Sequence, residues 1–231
     1  GVGLAPSGVA AISTALLAIL KAGDHILVID SAYRPTRSFC DTLLTRYGVE
    51  TTYFDPLIGA EIEKLFRPNT RAVLVEAPGS QSFEMPDIPA IAAVAHGKGA
   101  LVVDDNTWAT PFFHRSLDQG VDISIQSGTK YIGGHSDIMF GTIAANAKAW
   151  PLITDTIRQL GVCAAPDDVF LALRGLWIGP MLIERYGFTL VQAGNVALAM
   201  TLGSMISPAV FGRLDPGGAR RIRWLLGFAA L

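Results

Sequence analysis

The first 145 residues of the chain alternate between short apolar runs and longer segments rich in alanine and leucine. The apolar runs are bounded by Gly, Pro, Asn or Asp and predict buried strands. These predicted strands are His25–Asp30, Glu50–Phe54, Ala72–Glu76, Ala100–Asp104 and Ile123–Gln126. The intervening segments have helical patterns, and the predicted helices are Gly8–Lys21, Ser38–Tyr47, Ile58–Phe66 and Ile88–Lys98.

Short strands that are apolar along their length and alternate with helices favour a mostly parallel sheet with helices on both faces. The sequence therefore predicts an α/β fold. Ligands of such sheets bind beyond the carboxyl ends of the strands. Polar residues that follow a predicted strand, or that open a helix, are thus the first candidates for a functional site.

Composition narrows the class of protein. Of 231 residues, 50% are hydrophobic and 16% are charged, and the net charge of −2 argues against disorder and against a basic nucleic-acid surface. Cys40 and Cys163 are too few for a disulfide framework and lack metal-ligand spacing, which favours a reducing cytoplasm. No signal peptide is expected. The apolar run Val196–Phe211 contains Gly203 and Pro208 and is shorter than the roughly 20 residues of a membrane-spanning helix, so it predicts a buried helix instead.

The strongest candidate for chemistry is Lys130, which follows Ser127, Gly128 and Thr129 after a predicted strand. An amine in this position can react with an aldehyde while the small hydroxyl residues bind a phosphate. Taken alone, a lysine is most often a solvated surface residue. His135 and Asp137 lack a third ligand at useful spacing, so no metal site is predicted.

Two further positions complement the lysine. Asp104 and Asp105 end a predicted strand, and a carboxylate beside a pyridine ring keeps the ring nitrogen protonated, although both could simply be turn residues. Ser7 opens the first predicted helix, whose N-terminus can bind phosphate. Ser7 is also a plain N-cap, and the two roles are compatible.

The segments Val102–Thr110, Gly120–Asp137 and Met139–Thr142 resemble the Cys/Met-metabolism enzymes that use pyridoxal 5′-phosphate, almost position for position in the second segment. The resemblance runs from Ser7 to about Leu176. Tyr33 stands in a Tyr-x-Pro-Thr sequence, where the γ-synthase and γ-lyase branches more often have Tyr-Gly-Gly-Thr. This difference and the Trp in Asn-Thr-Trp favour the cystathionine β-lyase branch.

The resemblance implies a fold-type-I large domain with a mostly parallel seven-stranded sheet, and it implies roles for seven residues. Lys130 would hold the cofactor and take the substrate α-proton, Asp105 would contact the ring nitrogen, and Tyr33 would stack on the ring and assist proton transfer. The phosphate would be bound by the backbone of Gly8 and Val9 and by the hydroxyls of Ser127 and Thr129. The implied reaction is α,β-elimination of cystathionine to homocysteine, pyruvate and ammonia, a step of transsulfuration and methionine biosynthesis.

The resemblance also implies a division of the chain. Residues 1–176 would form the cofactor-binding large domain, without the Tyr-x-Arg segment that reaches the cofactor phosphate of a neighbouring subunit. Residues 177–231 depart from the family pattern and would form a mainly helical or poorly ordered tail, with Pro180 inside a predicted helix, in place of the small domain that binds the substrate carboxylate.

A homotetramer, built as a dimer of dimers, with a small amino-acid substrate and no membrane or nucleic-acid partner is the family expectation. Two alternatives stay open. One is a cystathionine γ-synthase or γ-lyase, and the other is a catalytically incompetent remnant that at most binds pyridoxal phosphate.

Overall fold

The computed structural model describes residues 1–134, 136–187, 189 and 191–192. Within them, one seven-stranded sheet has the order β1-β7-β6-β5-β4-β2-β3. The strands are β1 Val2–Ala5, β2 His25–Ile29, β3 Glu50–Phe54, β4 Thr70–Glu76, β5 Leu101–Asp105, β6 Ile123–Gln126 and β7 Gly141–Ala145. Pairing is parallel from β6 to β3, whereas β7 is antiparallel to both β1 and β6. The predicted mostly parallel α/β sheet is confirmed.

Helices connect the strands. They are α1 Gly8–Ile19, α2 Arg34–Ser38, α3 Ile88–Gly97, α4 Thr110–Phe113, α5 Trp150–Leu160 and α6 Pro166–Tyr186. Helix α2 continues as a π-helical segment, Phe39–Leu44, and two 3₁₀ segments cover Gly59–Leu65 and Ser116–Gln119. Every residue of β2 and β6 is buried. Since successive side chains of a strand point to opposite faces, this burial means that the sheet is covered on both sides.

The differences from the predicted elements lie mainly at the edge of the sheet. The strands β1 and β7 were not predicted from the hydrophobic pattern, because each is short and rich in Gly and Ala. The predicted helices Ser38–Tyr47 and Ile58–Phe66 are respectively an α-helical start with π-helical turns and a 3₁₀ segment. Helix α1 ends at Ile19, two residues before its predicted end at Lys21.

The predicted domain boundary after Leu176 lies inside α6, which runs through it and through Pro180 to Tyr186. Most of the predicted tail, including the apolar run Val196–Phe211, lies outside the described residues, and so does His135. In the part of the chain that is described, no helix has both the length and the apolar character needed to cross a membrane.

Candidate active site

A cavity of about 1030 Å³ opens at the edge where β4, β5 and β6 end and α1 begins. Strand β1 runs in the same direction as these strands, so it delivers Ser7 and the start of α1 to the same edge. Six of the seven predicted site residues line the cavity: Gly8, Val9, Tyr33, Ser127, Thr129 and Lys130. The seventh, Asp105, is not a lining residue, but its carboxylate is hydrogen-bonded to Thr107, which does line the cavity.

The N-terminus of α1 provides donors for an anion. Ser7 has extended backbone geometry, and its hydroxyl oxygen accepts a hydrogen bond from Ala10 N at 3.1 Å, while its carbonyl accepts one from Ala11 N at 2.9 Å. The N–H groups of Gly8 and Val9 have no partner among the described residues, as expected for the first turn of a helix. They are therefore available to a phosphate at the cavity.

Gly8 lets the helix end approach the lysine-bearing loop. A Cβ atom added at Gly8 would lie 2.5 Å from Ser127 Cβ and 2.6 Å from its Oγ, closer than real side chains come. Only glycine therefore permits this packing. The consequence is that the Ser127 hydroxyl and the free N–H groups of α1 lie side by side.

The loop after β6 carries Lys130 in a defined turn. Lys130 N donates to Ser127 O at 3.0 Å, and the exposed Lys130 amine makes no hydrogen bond to any described residue. The Thr129 hydroxyl donates to Phe140 O at 3.2 Å and accepts from Phe140 N at 3.0 Å. Its proton is thus engaged by the backbone, so in this structure Thr129 shapes the loop, whereas Ser127 and the helix N-terminus offer the free donors.

Asp105 is half-buried at the end of β5, and Thr107 binds one of its oxygens. Asp105 Oδ1 accepts from Thr107 Oγ1 at 2.5 Å and from Thr107 N at 3.1 Å, while Oδ2 has no hydrogen-bond partner within the described residues. Burial raises the pKa of Asp105 to about 6, against the two bonds from Thr107, which lower it. A cationic ring nitrogen at Oδ2 would favour the ionised carboxylate.

Thr107 and Glu76 are site residues in addition to the seven predicted ones. Thr107 Oγ1 also accepts from Ser127 N at 2.8 Å and so joins Asp105 to the lysine-bearing loop. Glu76 lines the cavity and accepts from Tyr33 N at 2.7 Å. Its position at the end of a strand beside Asp105 was the available signal, because the carboxyl ends of parallel strands meet at one edge.

Three aromatic residues, Tyr33, Trp108 and Tyr131, line the cavity. Trp108 contacts Phe83 edge-on with centroids 5.2 Å apart, and it contacts Tyr131 in a tilted arrangement at 5.8 Å. Tyr33 also lines the cavity and is 44% exposed, so its ring is accessible to a ligand. The rings of Tyr33, Trp108 and Tyr131 thus add apolar surface to a cavity that also has polar lining residues, the usual character of a cofactor site.

A family model described as "Cys/Met metabolism PLP-dependent enzyme" matches residues 2–178. The chain belongs to this family. The cofactor of the family is pyridoxal phosphate, and the donor set of the cavity fits it. The phosphate matches the free N–H groups of Gly8 and Val9, the aldehyde matches the Lys130 amine, and the ring nitrogen matches Asp105.

Individual relatives support the family. The chain is 57% identical over 183 residues to a putative cystathionine β-lyase of Rhizobium johnstonii, covering 79% of this chain and 46% of the relative. It is 42% identical over 175 residues to the cystathionine β-lyase MetC of Escherichia coli, covering 75% and 44%. The chain thus spans about half the length of the curated relatives it matches.

Solved structures agree with the fold. The cystathionine γ-lyase of Lactobacillus plantarum, crystallised with L-serine, superposes with a TM-score of 0.73 at 34% identity. The match covers 75% of this chain and 46% of that structure. The family and its α/β architecture are therefore shown by sequence and by structure.

Proposed function

We propose that this chain is the cofactor-binding part of a carbon–sulfur lyase that converts cystathionine to homocysteine, pyruvate and ammonia by α,β-elimination. The observation that carries the proposal is that the free amine of Lys130 lies at the same cavity as the unpaired N–H groups of α1. Asp105 is next to this cavity, hydrogen-bonded to the lining residue Thr107. The two relatives above are named as β-lyases, which favours β-elimination over γ-elimination.

Bound pyridoxal phosphate supplies an electron sink for the negative charge that develops at the substrate α-carbon. Gly8, Val9 and Ser127 would bind the phosphate, and Asp105 Oδ2 would accept the N–H of the protonated ring nitrogen. Lys130 Nζ would hold the cofactor aldehyde, and the same amine would accept the substrate α-proton. Tyr33 would pack on the ring and assist proton transfer to the departing sulfur.

The test begins with covalent trapping. The purified chain is incubated with pyridoxal phosphate, reduced with borohydride and mapped by peptide mass spectrometry. We expect one pyridoxyl adduct, on Lys130. Lys148 is a matched control, since it is also exposed but follows the end of the antiparallel strand β7, at the opposite edge of the sheet.

Two variants sharpen the result. Lys130→Ala should lose the adduct, and Lys148→Ala should retain it. Adducts scattered over surface lysines, or none at all, would contradict the proposed cofactor site. If trapping succeeds, the product of cystathionine turnover separates the reactions: pyruvate marks β-elimination and 2-oxobutanoate marks γ-elimination. An adduct without turnover would identify a chain that only binds the cofactor.

Assembly and cellular location belong to the same proposal. We infer a homotetramer in the cytoplasm, and the free state of both Cys40 and Cys163 supports a reducing compartment. Sedimentation equilibrium of the purified chain gives its mass in solution, and a monomeric mass at every concentration would contradict the assembly.

A further inference from the structure

Glu76 is an acid at the site to which the proposed reaction gives no role. It ends β4, it is only 6% exposed, and its side chain lines the cavity. Glu76 Oε2 accepts the backbone N–H of Tyr33 at 2.7 Å. It therefore fixes the backbone of the residue whose ring is proposed to pack on the cofactor.

Glu76 is also the direct neighbour of Asp105. The two residues are register partners in the parallel pairing of β4 with β5, so their side chains project on the same face of the sheet. Two carboxyl groups side by side at a buried edge repel when both are ionised, and one of them retains a proton.

The surroundings decide which acid keeps the proton. Burial, together with the charges of Asp105 and Asp104, raises the pKa of Glu76 to about 8, against the N–H of Tyr33 and the hydroxyl of Ser80, which lower it. Burial raises the pKa of Asp105 only to about 6, because Thr107 donates twice to its carboxylate. Glu76 is thus the better proton holder of the pair.

Other charged groups around Glu76 do not reverse this order. After β2, the strand on its other side, the Asp30 carboxylate pairs with Arg37 at 2.5 Å. The cationic side chain of Lys130 and the anionic side chain of Asp168 also line the cavity, and their charges have opposite signs. On the adjoining strand β5 the nearest charged groups are Asp104 and Asp105, and the negative charge of each raises the pKa of Glu76.

We propose that Glu76 is a positioning residue that acts as a neutral acid: it holds Tyr33 in place through its backbone N–H and leaves the negative charge of the Glu76–Asp105 pair on Asp105. This inference rests on the proposed function, because Asp105 and Tyr33 matter here as contacts of the cofactor. A neutral Glu76 also keeps a second negative charge away from the cofactor, so that Asp105 alone faces the ring nitrogen.

Three variants of the full chain test the proposal: Glu76→Gln, Glu76→Ala and, as a control, the exposed Glu61→Gln. A glutamine keeps a side-chain oxygen that accepts from Tyr33 N. It also replaces the neutral carboxylic acid of Glu76 by an amide, which is neutral as well. We therefore expect Glu76→Gln and Glu61→Gln to bind pyridoxal phosphate within about threefold of the parent. Glu76→Ala should bind about tenfold more weakly, the effect of losing one hydrogen bond of about 1.4 kcal/mol.

The pH dependence of the visible absorbance of the lysine-bound cofactor distinguishes positioning from packing. Its midpoint should be unchanged in Glu76→Gln. A shift of about one pH unit or more in Glu76→Gln would show that the parent carries a charge at Glu76 and would overturn the proposal. An alanine variant that binds like the parent would overturn the positioning role.

A cofactor-free measurement keeps the two proposals separable. The folded pKa of Glu76 lies above the ordinary value of 4.5, so the folded chain holds a proton that the unfolded chain releases. The stability that this proton provides is complete below pH 4.5 and is lost as the pH rises through about 8. The urea midpoint of the parent should therefore fall between pH 5 and pH 8.

In Glu76→Gln this fall should be smaller than in the parent, whereas Glu61→Gln should follow the parent. Equal falls in all three proteins would contradict a neutral Glu76 even if no cofactor bound. If the parent gave no Lys130 adduct but showed this pattern, the proposed function would fail while the proton on Glu76 stood. If Glu76→Ala does not fold, the glutamine variant and its pH dependence decide.

Discussion

Asp104 and Asp105 are consecutive residues of β5, but they lie in opposite environments. Asp105 has one oxygen bound by Thr107 and the other without a partner in the described structure, beside the cavity. Asp104 is 0% exposed, and Oδ2 lies 3.4 Å from His114 Nε2. Because side chains alternate along a strand, a shift of one residue decides whether an acid serves the site or the interior.

The interior acid belongs to a polar cluster, defined here as Asp104, Asn106, His114, Ser116 and Ser124. Asn106 Nδ2 donates to His114 O at 2.7 Å and to Ser116 Oγ at 3.0 Å, and the hydroxyls of Ser116 and Ser124 are 3.1 Å apart. These hydrogen bonds hold the segment that follows β5 against the sheet. We therefore expect Asp105 to contribute to cofactor binding and Asp104 to contribute to the stability of the fold.

The largest expected effect comes from Asp105→Asn. Pyridoxal phosphate should bind about 10- to 100-fold more weakly, since a hydrogen bond to a charged group contributes about 1.5–3 kcal/mol. The free energy of unfolding of the cofactor-free chain at pH 8 should not fall. Burial places the pKa of Asp105 at about 6, above its ordinary value, so its ionisation opposes folding at pH 8 and the amide removes that penalty.

Titration calorimetry and urea unfolding measure these two quantities. A variant that unfolds more easily yet binds the cofactor as the parent does would reverse the assignment of the two aspartates.

Asp104→Ala should show the opposite pattern. The free energy of unfolding should fall by about 1–3 kcal/mol, because the change removes a fully buried side chain and leaves His114 Nε2, 3.4 Å from Oδ2, without its polar neighbour. The cofactor affinity should stay within about threefold of the parent. Asp118→Ala is the control, since its carboxylate is 60% exposed. The comparison breaks down if Asp104→Ala weakens cofactor binding as strongly as Asp105→Asn.

The smallest expected effect is that of Thr107→Val, which removes the hydroxyl between Asp105 Oδ1 and Ser127 N. We expect the cofactor affinity to fall about fivefold, the equivalent of about 1 kcal/mol for a neutral hydrogen bond. Thr107→Ser keeps the hydroxyl and should bind like the parent. An equal loss in both variants would contradict the role of the hydrogen bond, because Thr107→Ser keeps the hydroxyl.

The parallel part of the fold was predictable because most of its strands are largely apolar, with Glu50–Phe54 as the more polar exception. His25–Ile29 and Ile123–Gln126 are buried on both faces, and such strands are typical of a sheet that is covered on both sides. The edge strand Val2–Ala5 and its neighbour Gly141–Ala145 were not predictable, since small residues carry a weak strand signal and these strands pair through the backbone.

The candidate site was predictable where a motif names its residues, as at Lys130 and Asp105. The engagement of the Thr129 hydroxyl by Phe140 was not, because the partner arrives from a later segment of the chain. The role of Glu76 depends likewise on strand register, which decides that Asp105, and not Asp104, is its neighbour. Such pairings are properties of the folded chain and not of any local pattern.

The antiparallel course of β7 has a consequence for the segment that carries Lys130. The chain leaves β6 at the cavity edge and must return to that same edge to enter β7, where Thr129 N donates to Phe140 O at 3.0 Å. Folding therefore fixes both ends of the segment between β6 and β7, and the conformational entropy of these ends is lost before any ligand binds. A ligand that binds to this segment spends less of its binding free energy on ordering the protein.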